Sequence, residues 1–172
     1  MEFSIERRKK LEVQLRHLII HDELTCIYNR VFFDEELALI GRSREFPVSV
    51  IVADIGDLKL VNDKKGHAVG DKLLKHTAKA LSAVFRAGDV LARIGGDEFA
   101  VLLPHTDSVM ADQLLFRLRT ALARNNTKNS QQPIKISLGA STAEKGKLKK
   151  AFIIAYQCIY ACKATRKSKY SK

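Results

Sequence analysis

The sequence predicts an α+β fold, a central and mostly antiparallel sheet flanked by helices, and three observations predict that class. A buried apolar run over 48–53 is followed by a strong helical pattern. Two short strands then surround the paired glycines Gly95 and Gly96, which is typical of a hairpin. A further helix and strand complete a βαββαβ order, the ferredoxin-like arrangement.

Each element has its own signal in the sequence. Apolar residues at a period of 3.6 predict the helices, and short apolar runs predict the strands. Pro104 ends one strand, and Asn125–Gln132 is a polar stretch that we expect to be a loop. The predicted elements are helices over 1–20 and about 30–42, a strand over 48–53, a short helix near 58–64, a helix that opens at Gly70-Asp71 and ends near Gly88, strands over 90–94 and 99–103, a helix capped by Thr106 or Asp107 that runs to about 124, a strand over 134–140 and a helix over about 147–165.

Length and composition favour one soluble domain. The chain has 172 residues, of which 46% are apolar, enough for a single core. No run approaches about 18 consecutive apolar residues, so we expect no membrane span in this chain. The N-terminus does not resemble a signal peptide. Three cysteines without paired spacing favour a reducing compartment, and we therefore expect a cytoplasmic location.

A formal net charge of +11 allows either a solvated surface or an anionic partner such as a nucleotide, nucleic acid or lipid headgroup. The basic residues are spread along the chain, except for a cluster near Arg166, Lys167 and Lys169. No aromatic residues interleave with that cluster to stack on bases. We therefore expect no nucleic-acid binding, and a polyphosphate ligand fits the charge at least as well.

Two aspartates indicate a site at one edge of the sheet. Asp54 follows the first strand, and Asp97 lies in the tip of the later hairpin. Because the helical crossover makes the first two strands run in the same direction, these carboxylates should lie at the same edge. Asp54 alone could equally be a helix cap. A pair of carboxylates favours a hard divalent cation.

Three segments resemble the GGDEF family of diguanylate cyclases. The segment 93–99 contains Gly-Gly-Asp-Glu-Phe intact, 22–30 is similar to the family's D-x-L-T-x-x-x-N-R opening, and 62–71 is similar to its N-D-x-x-G-H-x-x-G-D segment. The resemblance extends over nearly all of residues 21–169. It implies a palm-type fold like that of nucleotidyl cyclase catalytic domains. It also implies condensation of two GTP molecules into cyclic di-GMP and two pyrophosphates.

The resemblance implies a magnesium site, with manganese as an alternative ion. Its ligands would be Asp54, Asp97 and the backbone carbonyl of Ile55. Magnesium commonly takes one or two carboxylates and leaves other positions to substrate, which fits this sparse set. Asp97 matches the residue that accepts the proton of the attacking hydroxyl. Lys59 matches a lysine that stabilises the transition state, and Glu98 joins them among the catalytic residues.

The same resemblance implies the residues that bind GTP. Asn62 and Asp71 would contact guanine, since their side chains can accept from and donate to its edge. Alternatively, Asn62 is a turn residue and Asp71 a helix N-cap. The remaining predicted contacts are His67, Gly95, Gly96, Lys163 and Lys167. The glycines would serve a hairpin turn with positive φ and a close approach of the nucleotide.

An Arg-x-x-Asp segment upstream of the hairpin is similar to the family's product-inhibition site. It comprises Arg86 and Asp89, and Arg117 falls where a second inhibitory arginine is expected. An arginine can form a two-pronged contact with guanine or phosphate. The alternative is an ordinary surface ion pair.

Several positions depart from the family pattern. Gly56 replaces a usual aspartate, Glu23 and Cys26 stand where proline and glycine are usual, and Tyr156 stands where an acidic residue is common. We expect the Tyr156 change to remove an ion pair near Arg30. Lys167 stands where the family usually has arginine, which keeps the charge and loses the two-pronged geometry.

The resemblance divides the chain into a signalling helix over 1–20 and a catalytic domain over 21–172. It implies a homodimer, because each of two facing domains would hold one GTP, and a sensor domain upstream. Alternatively, the chain is a catalytically weak domain that acts as a receptor for cyclic di-GMP or GTP. A general nucleic-acid binder is supported by charge alone, and would bind DNA in a salt-sensitive way.

Overall fold

The computed structural model describes the backbone of residues 2–169 and the side chains of residues 4–161. Within this range the helices and strands follow one another as α1 Glu2–Ile20, α2 Arg30–Gly41, β1 Val48–Ile55, α3 Leu58–Lys65, α4 His67–Ser82, β2 Val90–Arg93, β3 Glu98–Leu103, α5 Ser108–Lys128, β4 Ile136–Ala143 and α6 Leu148–Lys169. No helix in this part of the chain is long and apolar enough to cross a membrane.

The four strands form one sheet in the order β2-β3-β1-β4, and each neighbouring pair is antiparallel. β1 and β2 therefore run in the same direction, with β3 between them. The α+β class, the hairpin and the shared strand direction are all confirmed.

Both faces of the sheet are covered, because successive side chains of a strand point to opposite faces. Val50 and Val52 of β1 pack with α2 and α6, where Phe33 is completely buried. Ile51 and Ala53 pack on the other face with α4 and α5. The apolar run that predicted β1 is continuous because the strand is buried on both sides.

Some boundaries differ from the sequence prediction. α4 begins at His67 and ends at Ser82, so Asp71 lies inside the helix and is not its N-cap. The chain breaks between α3 and α4 at Gly66. The φ of this residue is 87°, which is not helical. Asp107, not Thr106, caps α5 by accepting from the backbone N–H of Met110.

The predicted polar loop after α5 is partly wrong, because α5 continues to Lys128. Asn126 explains this extension. Its side chain accepts from the backbone N–H of Ile134 at 2.8 Å and donates to the carbonyl of the same residue at 2.9 Å. A polar residue there fastens the helix to the segment before β4, and β4 itself begins at Ile136.

α6 lies very close to β4. A Cβ atom on Gly139 would overlap the backbone carbonyl of Ala155, so this position tolerates only glycine at the present spacing. Ala155 and Ile159, which belong to α6, are almost completely buried. The contact fixes the height of α6 above the sheet.

The leucine stripe of α1 faces solvent. Leu11, Leu15 and Leu18 are each half exposed or more. The helix forms as predicted, and its apolar residues are not covered by the rest of the described chain.

Candidate active site and a second cavity

The predicted meeting of the first strand with the hairpin occurs at one edge of the sheet. Asp54, near the end of β1, is paired directly opposite Glu98, the first residue of β3. The backbone N–H of Ile55 donates to the carbonyl of Asp97 at 2.8 Å. Asp54 is 7% exposed, whereas Asp97 and Glu98 are partly exposed. Asp54, Asp97 and Glu98 therefore lie at one edge of the sheet, which is the edge where the sequence predicts the two aspartates.

The glycine turn is shaped by Glu98. The backbone N–H of Ile94 donates to the Glu98 carbonyl at 2.9 Å, and that of Gly95 donates to the same oxygen at 3.3 Å. A Cβ atom on Gly95 would lie 2.5 Å from a carboxylate oxygen of Glu98, whereas one on Gly96 would meet nothing. Neither glycine has a positive φ, so that part of the prediction is wrong. The close approach of the Glu98 carboxylate explains why residue 95 is glycine.

Arg93 supports this turn from the side. Its guanidinium donates to the carbonyl of Gly96 at 2.7 Å and to the Asp22 carboxylate at 3.2 Å. Asp22 also accepts from the backbone N–H and hydroxyl of Thr25. Partial burial acts to raise the pKa of Asp22, but the Thr25 hydrogen bonds and the Arg93 charge outweigh it, and the pKa is lowered.

The sequence alone gives no sign that these two residues form a pair. Arg93 and Asp22 were visible in two separate motifs, but they are 71 residues apart in the chain. Their contact requires the opening turn to lie beside β2, which occurs through bridges from Tyr28 to His21 and to Ala92.

The oxygen atoms at the acidic edge are of the kind that binds a hard divalent cation. Like charges directly opposite on neighbouring strands repel, so Asp54 facing Glu98 favours a bound positive charge. Among the described residues no three His, Cys, Asp or Glu side chains converge as a metal cluster. A pair of carboxylates with a backbone oxygen is a set that magnesium accepts, since it keeps water or substrate oxygens as well.

A polar acceptor lies between α3 and α4. The side-chain oxygen of Asn62 is buried and has no hydrogen-bond partner among the residues that the structure describes. Gly70 of α4 faces it so closely that a Cβ atom would overlap the Asn62 oxygen. Buried polar atoms are rarely left unpaired without a functional reason. The turn interpretation of Asn62 is wrong, because the residue lies within α3.

The other predicted substrate residues lie around this point. Lys59 is exposed in the first turn of α3. His67 and Asp71 are exposed one turn apart in α4. The side chains of Lys163 and Lys167 are outside the described residues.

The three predicted product-site residues line one cavity of about 320 Å³, which lies between α5 and the segment 84–89 that precedes β2. Arg86 donates to the Asp89 carboxylate at 3.0 Å and to the Pro104 carbonyl at 2.7 Å. Asp89 is 9% exposed, and Arg117 reaches the cavity from α5. The structure therefore brings these three residues together around a space.

Tyr156 makes a contact that the sequence did not reveal. The Tyr156 hydroxyl lies near the Glu98 carboxylate. Burial, followed by this neighbouring carboxylate, raises the pKa of Tyr156 strongly, and the Arg30 charge opposes the rise. Arg30 itself pairs with Asp34 at 2.8 Å.

A four-stranded ferredoxin-like sheet with a Gly-Gly-Asp-Glu-Phe turn at its edge defines the class of GGDEF domains. The family described as "Diguanylate cyclase, GGDEF domain" matches residues 19–169, and the chain belongs to this family.

Named relatives agree with this assignment. The probable diguanylate cyclase DgcT of Escherichia coli K12 is 34% identical over 161 residues, which cover 90% of this chain and 36% of DgcT. The diguanylate cyclase VdcA of Vibrio cholerae is 32% identical over 148 residues, which cover 86% of this chain and 42% of VdcA. The chain thus spans less than half of the length of either relative.

Solved structures share the fold. The coiled coil and GGDEF domain of DgcB from Caulobacter crescentus, in complex with c-di-GMP, superposes with a TM-score of 0.84 at 25% identity. The match covers 95% of this chain and 91% of that one.

Proposed function

We propose that this chain is a diguanylate cyclase domain that condenses two GTP molecules into cyclic di-GMP and releases two pyrophosphates. One observation carries the proposal. The antiparallel pairing of β1 with β3 sets Asp54 opposite Glu98 and ties Ile55 to Asp97. This arrangement gathers oxygen donors beside an open glycine turn.

The reaction joins the 3′-hydroxyl of each GTP to the α-phosphate of the other. Phosphoryl transfer of this kind depends mainly on positioning and on neutralising charge. Asp54, Asp97 and the carbonyl of Ile55 would hold Mg²⁺ or Mn²⁺. A bound divalent ion supplies charge neutralisation and acidifies the attacking hydroxyl. In this proposal Asp97 accepts the hydroxyl proton and Lys59 balances phosphate charge.

The nucleotide base would bind between α3 and α4. The buried acceptor of Asn62 matches a guanine N–H or amine donor, and Asp71 can accept from the same edge. His67, Gly95 and Gly96 would contact the rest of the nucleotide. Lys163 and Lys167 would bind phosphate.

Catalysis would require two copies, because one domain holds one GTP. The exposed leucines of α1 support pairing of the helices, and a sensor domain upstream would control that pairing. The first experiment fuses a dimerising coiled coil to the start of α1 and supplies GTP with Mg²⁺ or Mn²⁺. Chromatography should detect cyclic di-GMP.

Two variants control this experiment. Asp97→Ala should abolish product, whereas Asp112→Ala, an exposed change on α5, should not. An enforced dimer that makes no product, or that makes equal product with Asp97→Ala, would refute the proposal.

The cavity beside β2 supports a second part of the proposal, which is feedback binding of cyclic di-GMP. Arg86 and Arg117 offer two guanidinium groups to an anionic ligand, and Asp89 offers an acceptor. Calorimetry should detect cyclic di-GMP binding that Arg86→Ala removes and Arg119→Ala preserves. Binding without any turnover of GTP would favour the alternative function, a receptor module.

A further inference from the structure

Two histidines lie four residues apart where α1 meets the rest of the domain, and neither takes part in the proposed catalysis. We propose that His17 and His21 form a two-ligand binding site for a borderline divalent transition metal such as Zn²⁺ or Ni²⁺. The site shares no residue with the acidic edge of the sheet. The inference goes beyond the proposed cyclase function and does not depend on it.

The helical turn continues through His21, which makes the two imidazole rings neighbours. α1 ends at Ile20, but the backbone N–H of His21 still donates to the His17 carbonyl at 3.1 Å, as in a regular α-helix. Side chains four residues apart lie one above the other on a helix. The two rings are stacked, with centres 3.8 Å apart and planes within 12° of parallel.

The hydrogen bonding of His21 leaves one of its ring nitrogens with an available lone pair. Nδ1 of His21 lies 3.0 Å from the carbonyl oxygen of His17, which can only accept, so Nδ1 carries the proton. In a neutral imidazole the other nitrogen, Nε2, is then an acceptor. A ring N–H that donates to a backbone carbonyl is the arrangement that orients metal-binding histidines.

The spacing of the rings suits a shared metal ion. Imidazole nitrogens bind Zn²⁺ at about 2.0–2.1 Å, so two of them on one ion lie about 3 Å apart. A small rotation of the exposed His17 ring achieves this from the stacked position. No third His, Cys, Asp or Glu among the described residues joins the pair, so water would complete the coordination. Imidazole favours zinc, nickel and copper, whereas Mg²⁺ prefers oxygen, so the catalytic ion would not compete here.

The location of the pair indicates what a bound metal would do. The backbone N–H of Asn29 donates to the Ile20 carbonyl at 2.9 Å. The His21 ring contacts Tyr28 with ring centres 4.9 Å apart, and a β-bridge joins the same two residues. A metal on His17 and His21 would add a crosslink between the last turn of α1 and this anchored segment. It would therefore stiffen the connection between α1 and the domain.

The test titrates Ni²⁺ alone into the protein without an affinity tag, by calorimetry, in excess Mg²⁺ to occupy the acidic edge. We expect one Ni²⁺ per chain. His17→Gln and His21→Gln should each raise the dissociation constant more than about tenfold, because the second ligand then no longer binds as part of the same molecule. The matched controls are His105→Gln and Cys26→Ser, which change other exposed side chains and should keep the constant within about twofold.

A second measurement locates the ion. Ni²⁺ should slow hydrogen exchange of the His21 backbone N–H, and its unpaired electrons should broaden the NMR signals of the Tyr28 ring. Neither effect should occur in His17→Gln, whose exposed position lets the fold persist.

Equal Ni²⁺ affinity in the wild type and both histidine variants, or broadening that spares Tyr28, would overturn the inference. An enforced dimer that makes no cyclic di-GMP would refute the proposed function and leave the metal result unaffected.

Discussion

Gly70→Ala separates the fold of α4 from its role in binding the base. Alanine is favoured over glycine inside a helix by about 1 kcal/mol. The added Cβ would overlap only the far end of the Asn62 side chain, which can rotate away. The free energy of unfolding should therefore stay within about 1 kcal/mol of the wild type.

The cost should instead appear in guanine binding. Rotation of Asn62 removes one or two hydrogen bonds to the base, each contributing about 0.5–1.5 kcal/mol. The dissociation constant for a non-reactive GTP analogue should rise about tenfold, since 1.4 kcal/mol corresponds to a factor of ten. The weaker binding of the matching ATP analogue should not change.

The assay is calorimetric titration with Mg²⁺, together with thermal denaturation. Gly41→Ala is the matched control, because it also changes a helical glycine and its Cβ would meet nothing. A Gly70→Ala protein that binds the GTP analogue as well as Gly41→Ala does would refute the assignment of Asn62 to the base.

Three further predictions concern stability. Cys26 has a left-handed φ of 62°, so Cys26→Gly should raise the free energy of unfolding by about 1 kcal/mol in denaturant titration; a decrease would contradict the strain argument. The pKa of Asp22 is lowered, because hydrogen bonds from Thr25 and the charge of Arg93 exceed the effect of burial. The ionised Asp22 therefore stabilises the folded state fully above its unfolded pKa of about 4, and this stabilisation is lost as the pH falls through the lower folded pKa. Asp22→Asn should thus cost about 1–2 kcal/mol at neutral pH and progressively less in acid, and a cost that is independent of pH would exclude this linkage. Burial, followed by two neighbouring glutamates, raises the pKa of Glu36, so Glu36→Gln should raise the melting temperature at neutral pH and lose that advantage as pH falls through the unfolded value; equal melting temperatures at neutral pH would count against it.

The sheet could be predicted because its signals are local. The run 48–53 and the glycine hairpin each predict a strand without knowledge of distant contacts. The boundaries that failed depend on distant partners. Asn126 extends α5 by bonding to Ile134, and Gly70 is tolerated within α4 because Asn62 needs the space.

The same division holds for the candidate site. Strand direction alone predicted that Asp54 and Asp97 would approach each other. The contact of Arg93 with Asp22 could not be predicted, because it joins side chains from separate elements whose spacing is set by packing. A motif identifies which residues are present, whereas packing decides which of them support others.

Glycine at position 56, where the family usually has aspartate, removes one negative charge. The backbone there is still held by hydrogen bonds. The N–H of Gly56 donates to the Lys135 carbonyl at 2.8 Å, while the N–H of Ile55 donates to Asp97. Asp57, which follows, pairs with the Lys135 ammonium at 2.7 Å on the exposed side of the loop. The peptide that carries the Ile55 carbonyl is thus held by hydrogen bonds on both sides. Any effect of the missing aspartate on catalysis must therefore act through the charge near the phosphates, because the predicted metal-binding oxygen is fixed by its neighbours.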